Sequence, residues 1–350
     1  MAIEQVCIIL GTRPQIIKSQ PLINSLKSQF KLKIVNTGQH YDYDLSQKFF
    51  NELKISKPAI NLNAQKGSQI QQISKIITKL EKLFTKYRPD LVIIPGDTTS
   101  ALAGTIAALK SKLKIAHLEA GARSNQFYMS EELNRRIVDH SSNFLFAPTK
   151  NCLKNLKNES VFGKSYFVGD TMYDLFLEFK KLYSKSVKNK LKNRILITIH
   201  RAENIEDKNR LKNIAKLIHE LNQNKYEVIF PVHPHTQRKL KEFNFKIGSV
   251  KKPIGYLDML KNLFQCDLVI TDSGGLQKEA YWMGRPCVTL RENTEWIETV
   301  KEKANFLYSP NKKISVREIE KILKLRVIPK KGLFGNGRAS EKISGLIRKM

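Results

Sequence analysis

The feature that most constrains this chain is the alternation of short apolar runs, each closed by turn residues, with longer stretches of helical period. Strands buried on both faces read as unbroken apolar runs, so such a pattern belongs to parallel sheets covered on each side by helices. One series comprises Val6 to Leu10, Leu32 to Asn36, Leu91 to Pro95, Ile115 to Leu118 and Phe144 to Ala147, with helices such as Gln69 to Tyr87 and Thr99 to Lys110 between them. A second series comprises Arg194 to Thr198, Tyr226 to Val232, Leu268 to Thr271 and Pro286 to Thr289. The fold class is therefore α/β, with two doubly wound domains, in keeping with 350 residues of which 41% are hydrophobic. The helical-looking segment Asp174 to Asn193 separates the series, and the junction is expected just ahead of it, near Val168 to Thr171. In this architecture ligands bind outside the carboxyl ends of the strands, so motifs that carry chemistry should follow strands directly.

A formal charge of +29, from 61 Lys and Arg against 32 Asp and Glu, would by itself point to a polynucleotide or an anionic membrane. The lysines are instead scattered along amphipathic stretches such as Lys75 to Lys86 and Lys180 to Arg194, without the aromatic interleaving of a single-strand binder. They read as a solvated surface, and no nucleic acid or membrane partner is expected. Cys7, Cys152, Cys266 and Cys287 lie far apart, with no CxxC pair, which fits a reduced cytoplasmic setting. The run Val6 to Leu10 is too short for a signal-peptide core, and no run approaches the roughly 18 apolar residues of a membrane span.

Two turns are built for anions. Gly11-Thr12-Arg13-Pro14 follows the first strand: Thr12 suits an N-cap, Pro14 the first helical turn, and Arg13 and Lys18 add positive charge beside free backbone N–H groups. An ordinary capped helix with two surface cations has the same residues. In the second series Thr271-Asp272-Ser273-Gly274-Gly275 also follows a strand, and its glycines let a phosphate approach the backbone closely. Glu279 then lies far enough along the helix to accept from ribose hydroxyls. Alone, Ser273 to Gly275 is equally a tight turn; one such turn in each domain indicates a nucleoside diphosphate.

The remaining signals are acidic residues and histidines. Asp97 follows the strand Leu91 to Pro95, Glu119 ends the strand that contains His117, and Glu131 and Glu132 open a helix with Arg135. Taken singly, Asp97 serves equally as an N-cap and Glu119 as a buried partner of Arg123 or Arg135. Carboxylates converging on one cleft raise one another's pKa, which suits the removal and return of a proton. His117 and Glu119 at alternate positions hint at a metal, but no third ligand at suitable spacing follows, and no metal is expected. His200, beside Arg201, ends the first strand of the second series, where it would stabilise a diphosphate leaving group or donate a proton. His233 in His233-Pro234-His235 reads mainly as loop architecture that also lines the cleft.

With these residues in view the chain resembles the non-hydrolysing UDP-N-acetylglucosamine 2-epimerases from Gly11 to the C-terminus. The resemblance rests on GTRP..IK (Gly11 to Lys18), TGQHYD (Thr37 to Asp42), GDTTS (Gly96 to Ser100), HLEAG.RS (His117 to Ser124), EE.NR...DH (Glu131 to His140), His200 with Arg201, Glu203 and Asn204, SGGLQKEA (Ser273 to Ala280) and TEW.ETV (Thr294 to Val300). It implies two Rossmann-like domains with a central cleft, of the glycosyltransferase-B type: residues 1–169 joined by the C-terminal helix 336–350, and residues 170–335. It also implies a homodimer, a UDP-sugar substrate and no cofactor, because C2 is inverted by proton removal, loss of UDP to a 2-acetamidoglucal and re-addition, without oxidation. On the family pattern Asp97, Glu119 and Glu131 supply the acid and base and His200 assists the departing diphosphate. Arg13 and Lys18 hold the diphosphate end, Arg135 orients the carboxylates, Ser273, Gly274 and Gly275 receive the phosphates, and Glu279 the ribose.

The chain also departs from that pattern. Gln15 stands where the family usually has Glu, Ser130 replaces the usual Pro, and Met259 takes the place of an aromatic under the uracil. Asp42 and Ser68 replace polar or basic contacts of a second, regulatory site near Gln39 in bacterial members. Trp296 is similar to a subgroup whose substrates include other UDP-2-acetamido sugars, among them diacetamido uronic acids. A hydrolysing relative that releases free N-acetylmannosamine and a glycosyltransferase on the same fold are the competing readings; the latter leaves three carboxylates unexplained.

Overall fold

A computed structural model describes residues 2–38, 58–183, 193–224 and 226–350, and leaves out the side chain of Arg13. Gln39 and Asp42 of the TGQHYD motif therefore lie outside the described residues. The chain divides into two compact units, Met1–Phe179 with Lys331–Met350, and Lys180–Lys330. The division falls inside the helix Thr171–Tyr183.

In the first unit β1 (Gln5–Leu10), β2 (Lys31–Asn36), β3 (Ile60–Asn61), β4 (Leu91–Pro95), β5 (Lys114–Leu118), β6 (Phe144–Ala147) and β7 (Lys164–Phe167) form one sheet in the order β3-β2-β1-β4-β5-β6-β7. Every pairing is parallel. The central strands β1, after its first residue Gln5, and β4 are apolar because both faces are covered; Val6 to Leu10 and Leu91 to Ile94 are wholly buried. The helix Gln69–Tyr87 covers one face through Ile76, Leu80 and Phe84, spaced four residues apart on one side of the helix. It starts at Ser68, whose hydroxyl accepts from Gln71 N at 3.3 Å, and stops at Arg88, which adopts a left-handed φ of 42°. The helix Thr99–Lys110 is made mostly of small residues, and at Gly104 a Cβ would stand 3.0 Å from Ile9 and Ile94, so it lies close against β1 and β4. The last helix, Ala339–Ile347, belongs to this unit: Asp174 accepts from Ala339 N at 3.0 Å and Ser340 N at 2.7 Å, satisfying two N–H groups of its first turn.

In the second unit β8 (Arg194–Thr198), β9 (Glu227–Pro231), β10 (Val250–Lys251), β11 (Leu268–Thr271), β12 (Cys287–Thr289) and β13 (Asn305–Leu307) form a second parallel sheet in the order β10-β9-β8-β11-β12-β13. Its core gathers Ile195, Ile197, Leu268 and Ile270 from the sheet with Leu211, Ile214 and Ile218 from the helix Lys208–Gln223. Both units are Rossmann-like. In each the strand order reverses once, between β1 and β4 and between β8 and β11, and the gap opened at that reversal is where a doubly wound sheet receives a ligand.

Candidate active site

At the reversal point of the first unit, β1 ends at Gly11, where a Cβ would come within 1.9 Å of Ser100 Oγ, so only glycine fits against the helix Thr99–Lys110. Gln15, 1% exposed, organises this turn. Its Oε1 accepts from Gly11 N at 2.8 Å and Thr12 N at 3.2 Å, and its Nε2 donates to the Pro95 carbonyl at the end of β4. The amide thus ties the two strand ends together, a link an ionised glutamate could not make for want of a donor. Lys18, one turn further along the helix Arg13–Lys27, pairs with the Glu119 carboxylate.

Asp97 follows β4. Its Oδ2 accepts from Arg135 Nε at 2.8 Å and lies 2.6 Å from Nη2, while Asn134 Nδ2 donates to its carbonyl at 2.8 Å. Glu119, directly after β5, adopts a φ of 72°, a left-handed conformation that is uncommon for a residue with a side chain and tends to mark functional turns. Both carboxylates keep part of their surface open, 25% for Asp97 and 14% for Glu119, so a ligand can reach them.

The sequence reading assumed carboxylates facing one another; in the structure each of these two has its own cation, Arg135 for Asp97 and Lys18 for Glu119. Lys18 is thus a partner of Glu119 that the sequence reading did not name. Glu131 is half-buried, and among the described residues it accepts only from Ser130 Oγ, at 3.2 Å. Its neighbour Glu132 is wholly buried and accepts from Ser124 N at 2.7 Å and Ser124 Oγ at 3.0 Å, a bracing of the loop before the helix Ser130–Ser141. His117 is wholly buried between Asp139 and the Gly96 carbonyl. Among the described residues no three His, Cys, Asp or Glu side chains gather as a metal would require.

In the second unit Asp272, wholly buried after β11, organises the end of β8. It accepts from His200 N at 3.1 Å, Arg201 N at 3.0 Å and Asn204 Nδ2 at 3.1 Å, and its Oδ1 is 3.3 Å from His200 Nδ1. With Nδ1 turned to the carboxylate and the side chain 46% exposed, His200 presents Nε2 outward. Arg201 is anchored by its Nε to the Asp272 carbonyl at 3.0 Å, with Glu295 3.7 Å from Nη2.

Ser273 N-caps the helix Gly274–Met283, and its Oγ accepts from Leu276 N, so the amides of Gly274 and Gly275 stand at the open first turn with the positive end of the helix behind them. A Cβ on Gly274 would lie 3.6 Å from Trp296 Nε1 and 3.9 Å from Glu295 Oε2, so Trp296 and Glu295 flank this turn. Glu279, 3% exposed, accepts from the Tyr256 hydroxyl at 2.6 Å. Met259 is half-buried in the helix Tyr256–Gln265. His233 is the N-cap of the helix Pro234–Glu242, with Nδ1 accepting from His235 N at 3.3 Å, in line with a loop role.

Sequence reasoning missed Asp272, Tyr256, Glu132 and Asp139 as parts of this arrangement. For Asp272 a signal was present, an acidic residue between a strand and a glycine turn; Tyr256 bonds across 23 positions and has no local signature.

The model of the UDP-N-acetylglucosamine 2-epimerase family matches residues 24–348 of the chain. A UDP-N-acetylglucosamine 2-epimerase from Methanocaldococcus jannaschii is 41% identical over 355 residues, covering 96% of each chain. A crystal structure of UDP-GlcNAc 2-epimerase from the same organism, in complex with UDP-GlcNAc and UDP, superposes with a TM-score of 0.92 at 39% identity over 99% of each chain. A UDP-2,3-diacetamido-2,3-dideoxy-D-glucuronate 2-epimerase from Pseudomonas aeruginosa is 38% identical over 349 residues, 98% of this chain and 99% of the other.

Proposed function

The chain belongs to the UDP-N-acetylglucosamine 2-epimerase family, and from that premise we propose that it interconverts UDP-N-acetylglucosamine and UDP-N-acetylmannosamine without hydrolysis. The observation that carries the mechanism is the pair Asp97 and Glu119, set at the ends of adjacent strands and each held by a separate cation. One carboxylate removes the proton at C2 of the sugar. The C2–H electron pair becomes the C1=C2 double bond of a 2-acetamidoglucal as the C1–O bond breaks and its pair leaves on the diphosphate of UDP. Re-addition of UDP at C1, with a proton returned to the opposite face of C2, gives the epimer. No electrons are gained or lost overall, so the chemistry calls for no nicotinamide.

The remaining residues take roles that the site's chemistry supports. Glu131 joins the acid and base set at the mouth of the same helix that supplies Arg135. His200, oriented by Asp272, assists the departing diphosphate, and Arg201 adds charge beside it. Ser273, Gly274 and Gly275 receive phosphate oxygens on backbone amides, Arg13 and Lys18 hold the diphosphate end, and Glu279, steadied by Tyr256, accepts from the ribose. Met259 lies against the uracil, with His233 at the edge of the site. A cytoplasmic homodimer is the assembly we infer.

A second reading is favoured by the Pseudomonas aeruginosa relative: the same inversion at C2 of a UDP-2,3-diacetamido uronic acid. The two are separated by offering the purified protein each UDP-sugar and comparing kcat/KM, with the product identified by NMR. A UDP-bound manno sugar from UDP-N-acetylglucosamine, at the higher kcat/KM, is the expected outcome. Preference for the uronic acid selects the second reading, and release of free N-acetylmannosamine with UDP contradicts both.

A further inference from the structure

Both turns that carry the acid and base candidates are tied to one face of a single helix. Glu131, Arg135 and Asp139 follow at four-residue spacing on Ser130–Ser141, so they share a face. Arg135 holds the Asp97 side chain. One helical turn further on, Asp139 is wholly buried and reaches the backbone of one turn directly and of the other through His117. Its Oδ1 is 2.6 Å from His117 Nδ1, and His117 Nε2 is 2.9 Å from the carbonyl of Gly96, the residue before Asp97. Its Oδ2 accepts from Gly121 N at 3.1 Å, two residues after Glu119, and lies 2.7 Å from Arg123 Nη2.

The neighbouring stripe closes a circuit. Glu132 faces Arg135 at 3.4 Å and Arg136 at 3.1 Å, Arg136 faces Glu159 at 3.0 Å, and Glu159 takes Arg123 Nε and Nη2 at 2.8 Å each. Charge alternates from Asp97 through Arg135, Glu132, Arg136, Glu159 and Arg123 to Asp139, and His117 returns the path to Gly96. Burial would raise the Asp139 pKa, but His117 and Arg123 beside it hold its carboxyl below the usual range, so it is an anion that accepts from Gly121 N and faces Arg123. Between the turns it grips, Glu119 has a φ of 72°, a conformation that a residue with a side chain keeps only where the surroundings over-determine it, while Gly96 and Gly121 take positive φ at no steric cost.

We propose that Asp139 is a positioning residue for proton transfer: through His117 and Gly121 it sets the relative placement of the Asp97 and Glu119 carboxylates while touching no substrate itself. The proposal rests on the reading of those two carboxylates as acid and base. Asp139→Asn keeps the size but removes the charge that faces Arg123 and turns an NH2 group either to the donors Gly121 N and Arg123 or to a His117 Nδ1 that must then accept.

In the full-length protein the variant should lose about 10- to 100-fold in kcat, the scale of a misplaced catalytic group, while KM and UDP affinity stay within about twofold. Exchange of the C2 proton with solvent should fall in parallel. His117→Gln severs only the arm to Gly96 and should show the same split; the double variant should be no slower than the slower single, because both act through one path. If Asp139→Asn does not fold, His117→Gln decides by the same criteria. Unchanged kcat in folded variants, or KM rising in step with the loss of kcat, overturns the positioning role alone. Absence of C2 exchange in the unaltered protein overturns that role together with the activity on which it rests.

Discussion

At the scale of single residues, Asp97 and Glu119 stand out because each combines an accessible carboxylate with a cation beside it. Asp97→Asn or Glu119→Gln removes a proton acceptor with little change of shape. Each should lower kcat by about 10²- to 10⁴-fold, while UDP still binds as judged by calorimetry; full turnover in both variants contradicts the assignment. These two residues were legible in the sequence because a strand followed by a polar turn announces its own position. Of their partners, Arg135 came from the resemblance alone, and Lys18 was expected at the diphosphate rather than at Glu119. Arg135 reaches Asp97 across 38 positions and Lys18 reaches Glu119 across 101, distances that only the parallel sheet closes. The same holds for Gln15, whose bond to Pro95 spans 80 positions.

At the scale of elements, the strongest sequence signals became the central strands and the amphipathic helices. The helix Gln69–Tyr87 was expected with the boundaries it has from its helical period, and the structure adds the caps Ser68 and Arg88 that bracket it. Truncating its wholly buried Leu80 to Ala should cost about 2–5 kcal/mol in chemical denaturation, and a cost below about 1 kcal/mol would contradict the packing described. The strands β3, β7, β10 and β13 went unassigned. They are two to four residues long, and β3, β7, β10 and β13 are the outer members of their sheets, where one side lacks a neighbour and the apolar pattern fades. The helix Ser130–Ser141 was placed for its carboxylates alone; that its Asp139 grips two distant turns follows from the order of β4, β5 and β6 in the sheet.

At the scale of the whole molecule, each unit is stabilised by its own core, and the first also encloses the charge circuit. Asp139 and Glu159 are held below their usual pKa: burial opposes ionisation in both, but His117 and Arg123 beside Asp139, and Arg123 and Arg136 beside Glu159, prevail. A carboxylate depressed in the folded state stabilises the fold above its unfolded pKa, and the contribution is lost as pH falls through the folded value. The urea midpoint should therefore drop between about pH 5 and pH 3, and the drop should be shallower in Glu159→Gln. An unchanged slope in that variant would show that Glu159 contributes nothing to acid stability. The net charge of +29 was read as surface rather than as a nucleic-acid footprint, and the ion pairs around Asp97 and Asp139 are local features set within that excess.

The most direct test of the central claim, that Asp97 and Glu119 exchange a proton at C2, is to run the reaction in deuterium oxide with UDP-N-acetylglucosamine and analyse the UDP-bound products by NMR and mass spectrometry. One deuterium at C2 of the manno product, lost in Asp97→Asn and Glu119→Gln, is the predicted result. A manno product that keeps the original hydrogen at C2 contradicts the account.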